Sequence, residues 1–302
     1  EVRAALYGLA EQDMPVPRVV SASAGLGSRD VAAGDLEAVF NWLLDPEELA
    51  ARSFAVLGIR HPLALPSTGL ELRPEGAYSV RGHSIGGFGS VTTNKLVATL
   101  CGELFGLQVQ AYPRYGSEKK GLPTTYYLTI ANEPIRQHSE LHTVDFVPVH
   151  DAAAFSHSAP LAGLVDGGSV FLNSPLTDPE QIWASLPSGA RAETLARDLR
   201  LYALDTAELG RRHAPRPELV VRMQGVALVG VFLRLAPFAA RAGLDRGQLF
   251  EALRGVLRRY FGKRGGAVVD ANLEVIREAY DSLIDVTSAI RADSTAHQEV
   301  LA

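Results

Sequence analysis

The chain has 302 residues, 47% of them hydrophobic, so it could hold one large domain or two small ones around a substantial core. Its formal net charge of −5 argues against a basic surface for nucleic acid. Its single cysteine, Cys101, cannot form an internal disulfide or ligate an iron–sulfur cluster, which needs a set of cysteines.

Neither a membrane span nor a secretion signal is visible in the sequence. The longest apolar run, Gly225 to Leu233, is shorter than the roughly 20 residues that a bilayer requires. The N-terminus lacks the basic region followed by an apolar segment of a signal peptide, so we expect a cytoplasmic protein. The first residue is Glu1, so either an initiator was processed or the chain is a piece of a longer polypeptide; its connector-like start favours the second.

Residues 1–70 form the first predicted region. A helix is expected after Asp30, with five apolar residues on one face, and a strand over Phe54 to Ile59 and a Pro-rich stretch follow. This is too little sequence to bury a core of its own, so we expect a connector region that packs on a neighbouring domain or chain. The apolar face comprises Leu36, Val39, Phe40, Leu43 and Leu44.

Residues 76–136 contain the most informative stretch. The predicted order is a strand over Tyr78 to Val80, a turn with Gly82, Gly86, Gly87 and Gly89, a helix, a strand over Val109 to Tyr112 and a basic loop. This order places free backbone N–H groups and two ammonium groups where an anion could bind. The candidate cofactor-binding residues are Gly86, Gly87, Phe88 and Gly89 in the turn, and Ser117, Glu118, Lys119 and Lys120 in the loop.

The remainder, to about residue 290, reads as alternating strands and helices. Such alternation predicts an α/β fold with a mostly parallel, Rossmann-like sheet flanked by helices, ending in C-terminal helices and a tail over 291–302. The predicted strands are 125–130, 144–149, 169–172 and 199–204, and the predicted helices are 178–186, 205–212, 223–242, 246–260 and 265–290.

Three motifs of residues 86–136 resemble the gamma subunit, or the equivalent fused domain, of the 2-oxoacid:ferredoxin oxidoreductases, the pyruvate:ferredoxin oxidoreductase superfamily. The glycine turn runs into Asn94 and Lys95, the basic loop follows an aromatic strand end, and a return strand closes on Glu133-Pro134-Ile135-Arg136. Similar likenesses are Phe261-Gly262-Lys263 with 268–272 for the C-terminal helix pair, and 25–30 with 38–40 for the connector of single-chain enzymes. Departures lie at Phe88 and at Leu122-Pro123-Thr124, so substrate and coenzyme A details stay open.

By this resemblance, residues 76–290 are a gamma-type domain of an enzyme that converts a 2-oxoacid, coenzyme A and oxidised ferredoxin into acyl-CoA, CO2 and reduced ferredoxin. The implied cofactors of the assembled enzyme are thiamine diphosphate, Mg, iron–sulfur clusters and coenzyme A. The implied partners are thiamine-diphosphate-binding alpha and beta chains or domains, an iron–sulfur component and ferredoxin. The superfamily's thiamine signature is absent, since Asp166-Gly167-Gly168 is its nearest match and Asn173 follows too closely, so we expect no catalytic residue in this chain.

Other interpretations of the motifs remain open. The glycine turn could instead be a tight turn that lets a helix and a strand pack closely, and the basic loop could be a solvated surface or a contact with a partner subunit. The glycine spacing differs from G-x-G-x-x-G, which argues against an NAD site. His83 could meet a ligand within the turn or cap it, and His138 and His142 would suit a metal only on a helix. A purely structural assembly module and a freestanding nucleotide-binding oxidoreductase are the alternative functions.

Overall fold

The computed structural model describes residues 2–10, 14–26, 30–85, 90–115, 123–137 and 140–291. It divides into two compact units, an N-terminal unit of residues 1–73 with 136–140 and an α/β unit of residues 74–135 with 141–302. Within the described ranges no helix is both long enough and apolar enough to span a bilayer.

The N-terminal unit is a short β-α-β arrangement. Its two strands pair in parallel, from Ser21 opposite Phe54 to Ser23 opposite Val56. Strand Ser21–Ser23 was not predicted, because its residues are small and polar, and the predicted strand 54–59 ends at Val56. The elements are α1 (Val2–Ala10), β1 (Ser21–Ser23), α2 (Ala33–Leu44), α3 (Pro46–Ala51) and β2 (Phe54–Val56).

Helix α2 confirms the helix predicted after Asp30, but another of its faces packs inside the unit. Ala38 and Trp42 are buried against Ala55, Leu57 and Leu65, and half-buried Val20, Val39 and Leu49 pack against this small cluster. The predicted apolar face points outward: its members other than the half-buried Val39 are exposed, namely Leu36, Phe40, Leu43 and Leu44.

The α/β unit is built on a seven-stranded sheet. Its strands are β3 (Tyr78–Ile85), β4 (Gln108–Tyr115), β5 (Pro123–Ala131), β6 (Val144–Val149), β7 (Leu164–Asn173), β8 (Arg200–Leu204) and β9 (Ile284–Asp285). Its helices are α4 (Ser90–Phe105), α5 (Ala154–His157), α6 (Pro179–Ser185), α7 (Ser188–Ala196), α8 (Thr206–His213), α9 (Val220–Leu235), α10 (Phe238–Arg241), α11 (Arg246–Phe261) and α12 (Gly266–Asp281), with 3-10 turns at Pro217–Leu219 and Gly262–Arg264.

The strand order is β4-β5-β3-β6-β7-β8-β9. Strands β3, β6, β7 and β8 are parallel neighbours, whereas β5 is antiparallel to both β3 and β4, and β9 is antiparallel to β8. Five of the seven strands therefore run in one direction. The predicted mostly parallel α/β sheet flanked by helices is confirmed.

Both faces of the sheet are covered, as expected for strands that read as continuous apolar runs. Successive residues of a strand point to opposite faces, so Phe146 packs into one core and Val147 into the other. The first core contains α4, α9, α11 and α12, and the second contains Ile182 and Trp183 of α6. Helix α9 packs closely on α12 at Gly230, since this residue has no side chain. A Cβ there would lie only 2.2 Å from the carbonyl oxygen of Ile276.

Three helices of this unit begin at an aspartate, as local sequence dictates. Asp178 accepts a hydrogen bond from the backbone N–H of Glu180 and is followed by proline, which confirms the predicted start of α6. Asp205 and Asp245 cap α8 and α11 in the same way.

Two predicted helices end earlier than expected. The helix predicted over 223–242 breaks after Leu235, because Pro237 holds Ala236 in an extended conformation with ψ of 144°. The helix predicted over 265–290 ends at Asp281, and the chain then forms edge strand β9, whose Asp285 pairs with Tyr202. Residues 287–291 are helical again, and 292–302, the rest of the predicted tail, lie outside the described residues.

Candidate functional site

The centre of the sheet contains a reversal of connection direction. Strands β3 and β6 are parallel neighbours. The chain leaves β3 through α4 towards β4 on one side, and leaves β6 through α5 towards β7 on the other. In open α/β sheets the crevice at the carboxyl ends of two such strands is where ligands bind. We call the residues at these strand ends the switch-point edge.

The candidate residues from the sequence, Gly86, Gly87, Phe88, Gly89, Ser117, Glu118, Lys119 and Lys120, all lie outside the described residues. The residues that flank them are described. Ser84, near the end of β3, pairs with Thr124, which pairs in turn with Tyr115 at the end of β4. Helix α4 begins at Ser90 and strand β5 begins at Pro123. The first candidate segment therefore connects β3 to α4 and the second connects β4 to β5, so both are joined to the sheet at this one edge.

The predicted glycine turn begins later than expected, because Gly82 and His83 lie within strand β3. Gly82 pairs with Tyr126 of β5, and a Cβ at this position would lie 1.9 Å from the Tyr126 ring. The ring therefore lies against the glycine backbone. Its hydroxyl reaches across β3 and lies 3.0 Å from Nε2 of His150, the residue that follows β6.

Tyr126 and His150 form a buried pair, 2% and 8% exposed. Burial raises the pKa of the Tyr126 hydroxyl and lowers the pKa of His150 to about 4. Both groups are consequently neutral at pH 7. They bridge three strands as a hydrogen-bonded pair without charge.

His83 is the second buried imidazole of the edge, 7% exposed. Burial first, and then the positive charge of Arg81 and the neighbouring His150, lower its pKa to about 4. Its Nδ1 lies 3.5 Å from Oγ of Ser158, and its Nε2 has no hydrogen-bond partner. The structure thus places His83 in a strand next to the switch point, where it does not cap a turn.

A chain of hydrogen bonds fixes the strand ends to one another. The backbone N–H of His150 donates to the carbonyl oxygen of His83 at 2.9 Å, and the amide of Asn173 donates to the carbonyl oxygen of His150 at 3.2 Å. The Asn173 side-chain oxygen accepts bonds from the backbone N–H and the hydroxyl of Thr206, at the start of α8. The edge is therefore a hydrogen-bonded platform whose buried histidines are neutral.

The described residues do not fit an iron–sulfur cluster or a metal. Cys101 lies fully buried in α4, and burial raises the pKa of its thiol, so it stays protonated. Among the described side chains no group of three His, Cys, Asp or Glu could hold a metal ion. His142 lies outside any helix and His138 outside the described residues, so the helical spacing considered for that pair does not apply.

Sequence reasoning missed Tyr126, His150 and the role of Gly82. Two tyrosines inside an apolar strand indicate core residues and no special role. Only the pairing of β5 with β3 places Tyr126 against Gly82. The available signal was His150, a titratable residue placed directly after a buried strand. Asn173, set aside as a thiamine ligand, acts instead as the link between β7 and α8.

The fold and the switch-point edge define an α/β domain suited to bind a ligand at the carboxyl ends of its parallel strands. Residues 79–282 match the family described as pyruvate ferredoxin/flavodoxin oxidoreductase, and the chain belongs to this family. The resemblance inferred from the sequence is confirmed at this level.

Individual relatives agree. A pyruvate-flavodoxin oxidoreductase of Trichormus variabilis is 24% identical over 281 residues, which are 90% of this chain and 22% of that protein. A pyruvate dehydrogenase [NADP(+)] of Cryptosporidium parvum is 29% identical over 203 residues, 67% of this chain and 10% of that protein. The chain therefore spans about a fifth or less of the length of these relatives.

A crystal structure of a pyruvate oxidoreductase subunit from Thermotoga maritima has the same fold. It superposes with a TM-score of 0.52 at 20% sequence identity, covering 69% of this chain and 98% of that subunit. The common fold accounts for nearly all of that subunit.

Proposed function

We propose that this chain is the non-catalytic, gamma-type component of a thiamine-diphosphate- and iron–sulfur-dependent 2-oxoacid:ferredoxin oxidoreductase. In this role the α/β unit walls the active site and helps to bind coenzyme A, and residues 1–70 connect it to a neighbouring domain or chain. Family membership and the small share of its relatives' length that the chain spans support this proposal.

The observation that supports the coenzyme A assignment is the position of the residues that flank the two candidate segments. Their flanking residues, Ser84, Ser90, Tyr115 and Thr124, meet at the edge where α/β sheets bind ligands. A helix begins at Ser90, directly after the glycines, and the first N–H groups of a helix favour an anion. The phosphates of coenzyme A are such anions.

The distribution of lysine supports the same assignment. The chain has four lysines, and Lys95, Lys119 and Lys120 all fall within the 35 residues 86–120, which include the turn, α4 and the loop. Lysine binds phosphate as a compact, mobile point charge. The fourth, Lys263, is exposed in the 3-10 turn after α11.

In this proposal the side chains of this chain bind and orient coenzyme A, and the other components of the assembled enzyme supply the reactive cofactors. Thiamine diphosphate, once bound by the other components, supplies the carbanion chemistry of decarboxylation. Lys119 and Lys120 would fix the coenzyme A phosphates and thereby orient its thiol. The Tyr126–His150 pair would keep the strand ends beneath them in register.

The test is the double substitution Lys119→Ala and Lys120→Ala in the assembled oxidoreductase. Removing two phosphate contacts should raise the KM for coenzyme A about tenfold or more, with little change in the decarboxylation half-reaction. Lys263→Ala is the matched control, since it removes an exposed lysine away from the edge. An unchanged KM would refute the coenzyme A assignment.

The alternatives give different results in the same experiment. If the chain is purely an assembly module, the double variant alters complex formation and leaves the coenzyme A kinetics as they were. If it is a freestanding nucleotide-binding oxidoreductase, the isolated chain binds a nucleotide cofactor, which equilibrium dialysis would detect.

A further inference from the structure

The exposed apolar side chains of this protein are concentrated in its N-terminal unit. Among the described residues, sixteen large hydrophobic side chains are exposed, and fourteen of them belong to residues 1–73. The α/β unit is three times larger, and its described part exposes only Val221 and Tyr260. Scattered exposed hydrophobics are ordinary, whereas a concentration of this kind marks an interaction surface.

Helix α2 carries the densest part of this surface. Leu36, Phe40, Leu43 and Leu44 recur at helical spacing and form one stripe, which we call the α2 stripe. Phe40 is 64% exposed and Leu44 is 79% exposed. The opposite face, with Ala38 and Trp42, already packs in the unit's own core. The helix is therefore apolar on two faces, as a helix between two packed layers is.

Among the described residues no strand pairs with the outer side of β1, which is the open edge of this two-stranded sheet. The backbone N–H of Ser21 donates to the carbonyl oxygen of Ser53, and the carbonyl oxygen of Ser23 accepts from the N–H of Leu57. Both residues therefore direct their backbone groups towards β2. In a parallel strand the intervening residue points the other way, so the N–H and C=O of Ala22 face outward. The outer side of β2 is occupied, since Val56 exchanges hydrogen bonds with Leu63 and Leu65.

We propose that the N-terminal unit is the terminal β-α-β element of a larger parallel sheet. A strand from another α/β domain of the same oxidoreductase adds along the open edge of β1, and a layer of that domain covers the α2 stripe. Two parallel strands do not form a stable sheet alone, and parallel sheets occur where both faces are covered. This inference deepens the proposed function, on which it rests for the existence of a larger enzyme.

The relatives favour a different domain over a second copy of this chain. The Trichormus variabilis match covers 90% of this chain and so includes most of the N-terminal unit, although the matched family domain begins only at residue 79. That relative extends far beyond the match, since only 22% of it is covered. A two-fold dimer, in contrast, would pair two β1 edges in antiparallel fashion, against the parallel order of β1 and β2.

The first experiment replaces two apolar side chains of the α2 stripe with aspartate in the full chain. Phe40→Asp with Leu44→Asp replaces two exposed side chains, so the isolated chain should keep its circular dichroism spectrum. In the tagged enzyme from its source, native mass spectrometry should show at least tenfold less of the complex that carries iron and thiamine diphosphate. Val221→Asp with Tyr260→Asp, the exposed hydrophobic pair of the α/β unit, should leave the complex intact.

The second experiment addresses the strand edge. Ala22→Pro removes the one outward N–H of β1 and leaves the bonds to β2, because edge strands tolerate proline where the N–H faces away. It should weaken the same complex about tenfold, whereas Ala22→Val, which keeps the N–H, should not. An unchanged complex in both the stripe and the proline variants would overturn the proposal.

A self-associating surface would also overturn it. The isolated wild-type chain would then be a dimer that the Phe40→Asp and Leu44→Asp substitutions convert into a monomer. The result is independent of the coenzyme A assignment, because loss of assembly is measured without coenzyme A. If the lysine variants leave the KM unchanged while the stripe variants lose the complex, only the proposed coenzyme A role fails.

Discussion

The two units of this chain differ in how completely they bury their β-sheets. The α/β unit covers both faces of seven strands with two extensive cores, and caps its helices with Asp178, Asp205 and Asp245. In its described residues the N-terminal unit has two strands, one small core cluster around Trp42, and a helix whose leucine and phenylalanine side chains are exposed to solvent. The α/β unit has the contacts to fold on its own, whereas under the proposal made above a partner completes the N-terminal unit.

The largest expected effect comes from the core of the smaller unit. Trp42 is its biggest buried side chain, and Trp42→Ala should cost about 3–5 kcal/mol, comparable to all the stability that so small a core provides. In the isolated chain residues 1–73 should then become sensitive to protease, with Trp183 fluorescence unchanged.

Trp183→Ala is the matched control for this prediction. Trp183 is buried in the α/β unit among many other core residues. The same truncation should therefore lower the midpoint of urea unfolding, but the unit should stay folded without urea. Equal resistance of both variants to protease would show that the N-terminal unit is stable by itself, and the contrast between the units would fail.

The next effect is a pH dependence confined to the α/β unit. His83 and His150 have pKa values lowered to about 4, so the folded state leaves them neutral while the unfolded chain binds protons below about pH 6.5. The contribution of these two neutral histidines to the free energy of unfolding is therefore complete above pH 6.5 and is lost as the pH falls towards 4. Each histidine should contribute a loss of about 2 kcal/mol between pH 6.5 and 5.

Urea unfolding of single-tryptophan variants measures this difference. The unfolding followed by Trp183 should weaken steeply below pH 6.5, and that followed by Trp42 should not, since residues 1–73 contain only the exposed His61. His83→Gln with His150→Gln should flatten the Trp183 profile. A profile that keeps its slope in this double variant would assign the pH dependence to other groups.

A third prediction concerns the crossing of strand β3 by a side chain. Gly82→Val places a Cβ where the Tyr126 ring lies, at 1.9 Å, and should cost about 3 kcal/mol by overpacking. Gly102→Ala in α4 is the control, because its Cβ would meet only the carbonyl oxygen of Leu107 at 3.8 Å and should change stability by less than about 1 kcal/mol. A Gly82→Val variant as stable as this control would mean that the Tyr126 ring moves aside freely.

Gly82 also shows what sequence could and could not predict. Strand β6 was predicted with its observed bounds, Val144–Val149, because a short, mostly apolar run of valine and phenylalanine, interrupted only by Asp145 and Pro148, favours a buried strand. Gly82 was placed in a turn, since a glycine in sequence indicates backbone freedom, whereas here its small size admits a tyrosine from another strand. Strand β1 and edge strand β9 were missed for a related reason: both are short and exist through non-local pairing.

For the candidate site the sequence predicts a location, which stays a prediction, and not the side chains around it. The order of strand, glycines, helix and strand placed it after β3, and the register of Ser84, Thr124 and Tyr115 agrees with one common edge. The Tyr126–His150 pair could not be found from sequence, because three strands that are separated along the chain must first be placed in order.

The smallest effect tests that pair directly. Tyr126→Phe removes a hydroxyl 3.0 Å from Nε2 of His150 and should cost about 1–2 kcal/mol, since a buried nitrogen loses its partner. A double-mutant cycle with His150→Gln should give a coupling of about 1 kcal/mol by urea unfolding followed at Trp183. Tyr260→Phe, at an exposed position, should change nothing measurable. If the two substitutions are additive, the hydroxyl and the imidazole act independently, and the rigidity of the switch-point edge depends on the backbone bonds and Asn173 alone.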